Sequence, residues 1–169
     1  MPNVIIISTE HRESGNCNSD ELCKIFESIK PEVIFEEETD DDKYRSYYDE
    51  ANSFKSLEVQ TIIKYKLKHD IRNVPVDAKP NQYLSFHEWD YLFNTFNKFV
   101  AYKQIIMDHC ALRDKDGFAY LNSAKCSELF VKMKNMERQI IEFSAVNKNE
   151  LFRIYELFHK EHDHREKEM

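Results

Sequence analysis

The run Val33-Ile34-Phe35-Glu36-Glu37-Glu38 joins a short apolar segment to a carboxylate-rich end, and two other runs share this form. Val4-Ile5-Ile6-Ile7 leads into Ser8-Thr9-Glu10-His11, and Val74-Pro75-Val76 ends on Asp77. Segments with helical periodicity separate the runs, which predicts the order strand, helix, strand, helix, strand. This order implies parallel strands whose carboxyl ends meet at one edge, where open α/β sheets bind ligands. We therefore expect the three polar ends to converge.

The chain is predicted to have an α/β first half and a helical second half. In this prediction residues 1–80 form a small parallel β-α-β-α-β sheet, and residues 81–169 form a helical hairpin or bundle packed on it in one compact domain. Apolar stripes at helical spacing indicate long amphipathic helices, from Ser85 to Cys110, from Cys126 to Ile141 and from Leu151 to Phe158. The charged helical pattern reaches the last residue without a stop signal, so we also expect the N-terminal part of a longer protein.

Local signals predict where the elements begin and end. Ser19 is expected to cap the first helix, which Pro31 would end, and Ser56 is expected to cap the second. The acidic, tyrosine-rich stretch 39–54 is predicted to be a loop or a short irregular helix, and the stretch 113–117 a turn. With only 2 Gly and 4 Pro in the chain, long helices with few tight turns are favoured.

Composition narrows the classes of function. The chain has 169 residues, of which 41 % are hydrophobic, with 12 Phe and 9 Tyr, so it can bury a sizeable core. Its net charge of −7 argues against nucleic acid as a partner, because phosphate binding needs clustered Lys and Arg. No run approaches the roughly 20 apolar residues of a membrane span. The spacing of the four cysteines favours reduced thiols and a cytoplasmic location.

Glu10 and His11 follow the first apolar run and are the first candidates for chemistry. A neutral imidazole beside a carboxylate can be a metal ligand, a general base or half of an activated-water pair. The competing interpretation is a solvated loop with ordinary polar residues. The position at a strand's carboxyl end favours a functional role.

Carboxylates are the second group of candidates. Glu36, Glu37 and Glu38 precede further acidic residues, a density that hard divalent cations offset well. Because successive strand residues point to opposite faces, only one of Glu36 and Glu37 can face a given site. Asp77 can hold a metal, orient His11 or cap the segment after it.

The first 80 residues resemble the TraB/Tiki and erythromycin-esterase-like (ChaN-like) superfamily. The matching text is Ser8-Thr9-Glu10-His11 with Ser14, then Pro31-Glu32-Val33-Ile34-Phe35-Glu36-Glu37, then Ile71 to Asp77. Ser8 stands where the family has glycine. Family members carry helical insertions after this point, which matches residues 83–165, and Arg165 to Met169 is similar to an Arg-x-x-x-Met segment of the family.

The resemblance implies a hydrolase with a His/Glu site and a divalent metal of unknown identity. It assigns the site to His11 and Glu37, with Glu37 favoured over Glu36, and supporting roles to Glu10, Glu36, Ser14 and Asp77. The predicted catalytic residues are thus His11, Glu37, Glu10 and Glu36, and the predicted metal ligands are His11, Glu37 and Asp77. The substrate would be an unknown small molecule or peptide. The alternative prediction is a non-enzymatic interaction module, in which the long helices of the second half form a homo-oligomer or bind another chain.

Overall fold

The computed structural model of the chain describes residues 3–41, 44–48, 55–77 and 83–168, and it is a mixed α/β protein dominated by helices. Its elements are α1 (Ser19–Ile29), β1 (Val33–Thr39), a short 3-10 helix (Tyr44–Tyr48), α2 (Leu57–Lys66), β2 (Arg72–Asp77), α3 (Phe86–Phe96), α4 (Val100–Leu121), α5 (Ala124–Phe143) and α6 (Lys148–Glu168). The chain divides into two compact units. The first comprises Met1–Asp77 and Cys110–Cys126, and the second comprises Ala78–His109 and Ser127–Met169.

The sheet of the first unit is parallel, as predicted from the order of the elements. β1 pairs with β2, with Val33 opposite Arg72 and Phe35 opposite Val74. The connection between the two strands includes α2, as a parallel crossover requires. The register shifts between Glu36 and Thr39. The second and third predicted strands and their parallel orientation are thus confirmed.

The first predicted strand, residues 3–8, is not found. Residues 3–10 form no strand, and the side chains of Val4 and Ile6 are 79 % and 87 % exposed. The backbone of Ser8 bonds to a side chain instead of a ladder, because the Asn122 amide both accepts from its N–H at 2.7 Å and donates to its C=O at 3.1 Å. An apolar run becomes a strand only where a neighbouring strand satisfies its backbone. Within the described residues the sheet therefore has two strands.

Most of the predicted helix boundaries agree with the structure. Ser56 caps α2 through a bond from the Val59 N–H to its hydroxyl oxygen. The cap of α1 is Asn18, one residue before the predicted Ser19, and its side chain accepts from the N–H groups of the first turn. The predicted irregular helix within 39–54 corresponds to the 3-10 helix, although positions 42–43 and 49–54 lie outside the described residues.

Two predictions for the second half need correction in detail. The apolar stripe from Ser85 to Cys110 belongs to two helices, because α3 ends at Phe96 and α4 begins at Val100. The predicted turn at 113–117 is a local interruption of α4 at Gly117, where φ is 55° and ψ is −135°. An apolar stripe at helical spacing can continue in the sequence across a short turn between two helices. Periodicity alone therefore does not show where one helix ends and the next begins.

Each unit has its own hydrophobic core. The core of the first unit includes Leu22 and Phe26 of α1, Leu57 and Ile62 of α2, and Phe118. In the second unit, α3, α4, α5 and α6 all contribute buried residues to the core, including Leu92, Tyr102, Ile140, Leu151 and Tyr155. All four cysteines are free. None of the described helices has both the length and the apolarity needed to cross a membrane.

Candidate functional site

An open cleft of about 580 Å³ lies in the first unit, at the segment that contains His11. Its wall comes from three separate parts of the chain: the segment 9–14, strand β1 and helix α4. The lining residues are Thr9, Glu10, His11, Arg12, Glu13, Ser14, Glu37 and Arg113. The cleft therefore brings His11, Glu10 and Glu37 of the predicted site together, and it adds Arg113.

The segment from Ser8 to His11 is held at both ends by backbone contacts. At one end the Asn122 amide bonds to the N–H and C=O of Ser8. At the other end the N–H of Leu57, the first residue of α2, donates to the His11 carbonyl at 3.0 Å. The first N–H groups of a helix have no partner inside the helix. The start of α2 thus fixes the backbone of His11.

The only two glycines of the chain bring α4 against the loop that follows His11. Gly15 and Gly117 both have positive φ, at 53° and 55°. A Cβ on Gly15 would overlap the backbone of Asp114, and one on Gly117 would overlap the backbone of Asn16. The Asn16 N–H donates to the Asp114 carbonyl at 2.8 Å. This close approach, which only glycine permits, places Arg113 at the cleft.

Arg113 links the two sides of the cleft. Its Nη1 lies 2.7 Å from Glu10 Oε2, its Nη2 lies 3.1 Å from Ser14 Oγ, and it also bonds to Asp114. Burial opposes its charge, but the bonds to Asp114 and Glu10 raise its pKa above the ordinary value. Glu10 and Ser14, supporting residues of the predicted site, therefore hold a fixed cation in place.

His11 has a carboxylate partner that the sequence did not suggest. Its Nδ1 lies 3.5 Å from Glu58 Oε1, and the Thr9 hydroxyl donates to the same oxygen at 2.6 Å. Glu58 is the main cause of a raised His11 pKa, opposed by partial burial and supported by the charges of Glu37 and Glu38. The imidazole remains 68 % exposed, so it is accessible from the cleft.

The three glutamates of β1 have different environments. Glu36 is only 5 % exposed and accepts hydrogen bonds from the Tyr44 and Tyr48 hydroxyls and from Asn73 Nδ2. Glu37 lines the cleft. Burial raises the pKa of Glu38, which also lies within the electrostatic influence of His11. Because the register shifts after Glu36, strict alternation of faces does not hold for Glu37 and Glu38.

Asp77 ends β2, opposite Thr39, and does not line the cleft. Its charge helps to raise the pKa of Glu38. Across residues 3–41, 44–48, 55–77 and 83–168, no three His, Cys, Asp or Glu side chains are arranged to hold a metal ion. The donor set His11, Glu37 and Asp77 therefore does not fit a metal in this structure, and metal binding stays a prediction.

Sequence reasoning missed Thr9, Glu58 and Arg113. Glu58 follows a capping serine, where an acidic residue is ordinary, and Arg113 lies in a stretch predicted to be a turn. No local signal distinguishes these residues, because their roles come from contacts with distant segments. Met169, the end of the Arg-x-x-x-Met segment, lies outside the described residues.

No protein-family model, curated protein or solved structure matches this chain.

Proposed function

We propose that this protein is a hydrolase in which His11 acts as a general base on a water molecule in the cleft. The observation that carries the proposal is the meeting of an imidazole, a carboxylate and a guanidinium, from His11, Glu37 and Arg113, in one open cleft. Esters and lactones are the proposed substrate class, on the resemblance to the TraB/Tiki and erythromycin-esterase-like superfamily.

The proposed reaction uses only groups of the protein and a water molecule. His11 removes a proton from the water, the oxygen of which attacks the substrate carbonyl carbon. The ester C–O bond then breaks, and the imidazolium returns its proton to the leaving alcohol. Arg113 supplies a fixed positive charge near the carbonyl oxygen, where negative charge develops. Glu37 stabilises the imidazolium, since its charge already favours the protonated form of His11.

The activity test uses the full chain and a panel of activated esters and lactones. His11→Ala is expected to lower kcat/KM by about 100-fold or more, because a general base typically contributes 10²–10⁴-fold. His87→Ala is the matched control, since His87 is an exposed histidine of the second unit. Turnover that is equal in wild type and His11→Ala would contradict the proposal, and so would a lack of turnover by the wild-type chain.

Metal content gives a separate test of the metal-dependent version that the sequence predicts. The measurement is inductively coupled plasma mass spectrometry on protein purified without chelators. A near-stoichiometric divalent metal that His11→Ala loses would favour His11 as a ligand. A metal-free protein that hydrolyses esters would favour the general-base reaction.

A non-enzymatic homo-oligomer is the second candidate, and the surface of the second unit favours it. Several large apolar side chains are exposed on or near its helices, including Phe86, Trp89, Phe143 and Phe152. Exposed apolar patches often mark interaction sites. A catalytically silent chain that light scattering shows to be a defined dimer or larger oligomer would favour this function, whereas a silent monomer would contradict both candidates.

A further inference from the structure

Glu58 contacts the His11 ring but does not line the cleft, and it has no role in the reaction proposed above. We infer that Glu58 is the positioning residue of the site: its carboxylate accepts the Nδ1 proton of His11 and leaves Nε2 as the basic nitrogen that faces the substrate. The role of Nε2 as a base rests on the proposed function, whereas the orientation of the ring rests only on the contacts of His11 and Glu58.

Helix α2 holds both partners. Glu58 is in the first turn of α2, directly after Leu57, and the Leu57 N–H bonds to the His11 carbonyl at 3.0 Å. One turn of helix therefore fixes the backbone of the histidine and carries the carboxylate that contacts its ring. The 3.5 Å distance between His11 Nδ1 and Glu58 Oε1 follows from this shared anchor.

The carboxylate is itself held in place. The Thr9 hydroxyl donates to Glu58 Oε1 at 2.6 Å, the same oxygen that faces His11. Glu58 Oε2 is buried and has no hydrogen-bond partner among the described residues, so Oε1 carries the polar contacts of this side chain. A side chain held by a hydrogen bond of its own can orient a catalytic group to within the tolerance that catalysis needs.

Glu58 also keeps its charge. Its Oε1 accepts from the Thr9 hydroxyl, and it lies in the first turn of α2, where the helix dipole favours an ionised carboxylate. An ionised carboxylate is only an acceptor. Because Nδ1 faces this carboxylate, we expect the neutral His11 ring to carry its proton on Nδ1 and to keep the lone pair on Nε2.

The tautomer of His11 tests this assignment without any substrate. Long-range ¹H–¹⁵N NMR on the labelled full chain, at a pH where the rings are neutral, distinguishes a proton on Nδ1 from one on Nε2, and His11→Ala assigns the signal. We expect the Nδ1–H form in wild type and a change to the Nε2–H form, which free histidine prefers, in Glu58→Met. An Nε2–H form in wild type, or no change in Glu58→Met, would overturn the inference.

Three comparisons make the NMR result specific. Glu58→Gln retains an acceptor oxygen and is expected to keep the Nδ1–H form. Because it changes the side chain less, this variant can also be measured if Glu58→Met does not fold. Glu32→Ala removes an exposed carboxylate of the same unit and should change nothing. His69 provides an internal reference, because its Nε2 lies 3.0 Å from Glu27 and should carry the proton.

The kinetic consequence separates this inference from the proposed function. If wild type hydrolyses esters, Glu58→Met is expected to lower kcat by about 10-fold or more with KM within about 2-fold, because orientation of the base matters only in the transition state. A KM change alone would contradict a positioning role. If wild type hydrolyses nothing, the proposed function fails, while the tautomer result still decides the role of Glu58.

Discussion

Glu58 in the first unit and Glu137 in the second are both shielded glutamates on helices, yet their pKa values move in opposite directions. Glu58 lies in the first turn of α2, keeps 24 % of its side chain exposed and faces His11. Glu137 lies within α5, is 4 % exposed and accepts from the Tyr102 hydroxyl at 2.9 Å and the Tyr155 hydroxyl at 3.3 Å. The pKa of Glu58 is lowered, whereas burial raises that of Glu137.

The difference lies in the partners. A helix start and an imidazole both favour a negative charge, so Glu58 remains an ionised group that can act on His11. The tyrosine hydroxyls are neutral donors, which only partly offset the cost of burying a carboxylate. We therefore expect Glu58 to influence chemistry more than stability and Glu137 to influence stability alone.

The largest expected effect comes from removing both donors of Glu137. In Tyr102→Phe/Tyr155→Phe the buried carboxylate keeps no tyrosine donor. At a pH above the folded pKa of Glu137, the free energy of unfolding should therefore fall by about 3 kcal/mol or more, since hydrogen bonds to charged groups contribute about 1.5–3 kcal/mol each. The fluorescence of Trp89, the only tryptophan and a residue of this unit, follows unfolding in urea. Tyr91→Phe, at an exposed tyrosine, is the control. A double variant as stable as this control would contradict a stabilising role for the contacts of Glu137 and so its difference from Glu58.

A smaller effect is expected from Glu137→Gln, and its sign depends on pH. Because the folded pKa of Glu137 is raised, its contribution to stability is present below the unfolded pKa and is lost as pH rises through the folded pKa. Wild type should therefore lose stability relative to Glu137→Gln as pH rises from about 4.5 through the folded pKa of Glu137, by about 1.4 kcal/mol for each unit of pKa shift. Urea unfolding at a series of pH values measures this difference. If the free energies of unfolding of the two proteins changed in parallel with pH, burial would not disfavour the ionised form of Glu137.

The smallest change in stability is expected from Glu58→Gln. Because the pKa of Glu58 is lowered, its contribution to stability is present above about pH 4.5 and is lost as pH falls through its folded pKa. Because the pKa of His11 is raised, its contribution is present below about pH 6.5 and is lost as pH rises through its folded pKa. The pair should thus contribute most between these limits. Because the imidazole is exposed, the loss should not exceed about 1 kcal/mol by circular dichroism in urea. A loss as large as that of the double tyrosine variant would make Glu58 a structural residue.

Local patterns predicted those elements whose signals lie within a few residues. The apolar run before Glu36 and the run before Asp77 became paired strands, and Ser56 capped α2. The run at Val4 carries the same pattern but forms no strand among the described residues, and the backbone of Ser8 at its end bonds to the Asn122 side chain. Periodicity reports which side chains are apolar, and it does not report whether a neighbouring strand is present.

The sequence by itself predicted the parallel orientation of β1 and β2 and the helical second half, which follow from periodicity and the order of the elements. It also offered His11 and the glutamates of β1 as site candidates, among which only the family resemblance favoured Glu37. Only the tertiary structure brought Arg113 to the cleft, through the close approach of Gly15 and Gly117, and placed Glu58 behind His11. In the tertiary structure Glu36 is bonded to a tyrosine hydroxyl, whereas Glu37 lines the cleft. Contacts between distant segments depend on packing, which no local pattern encodes.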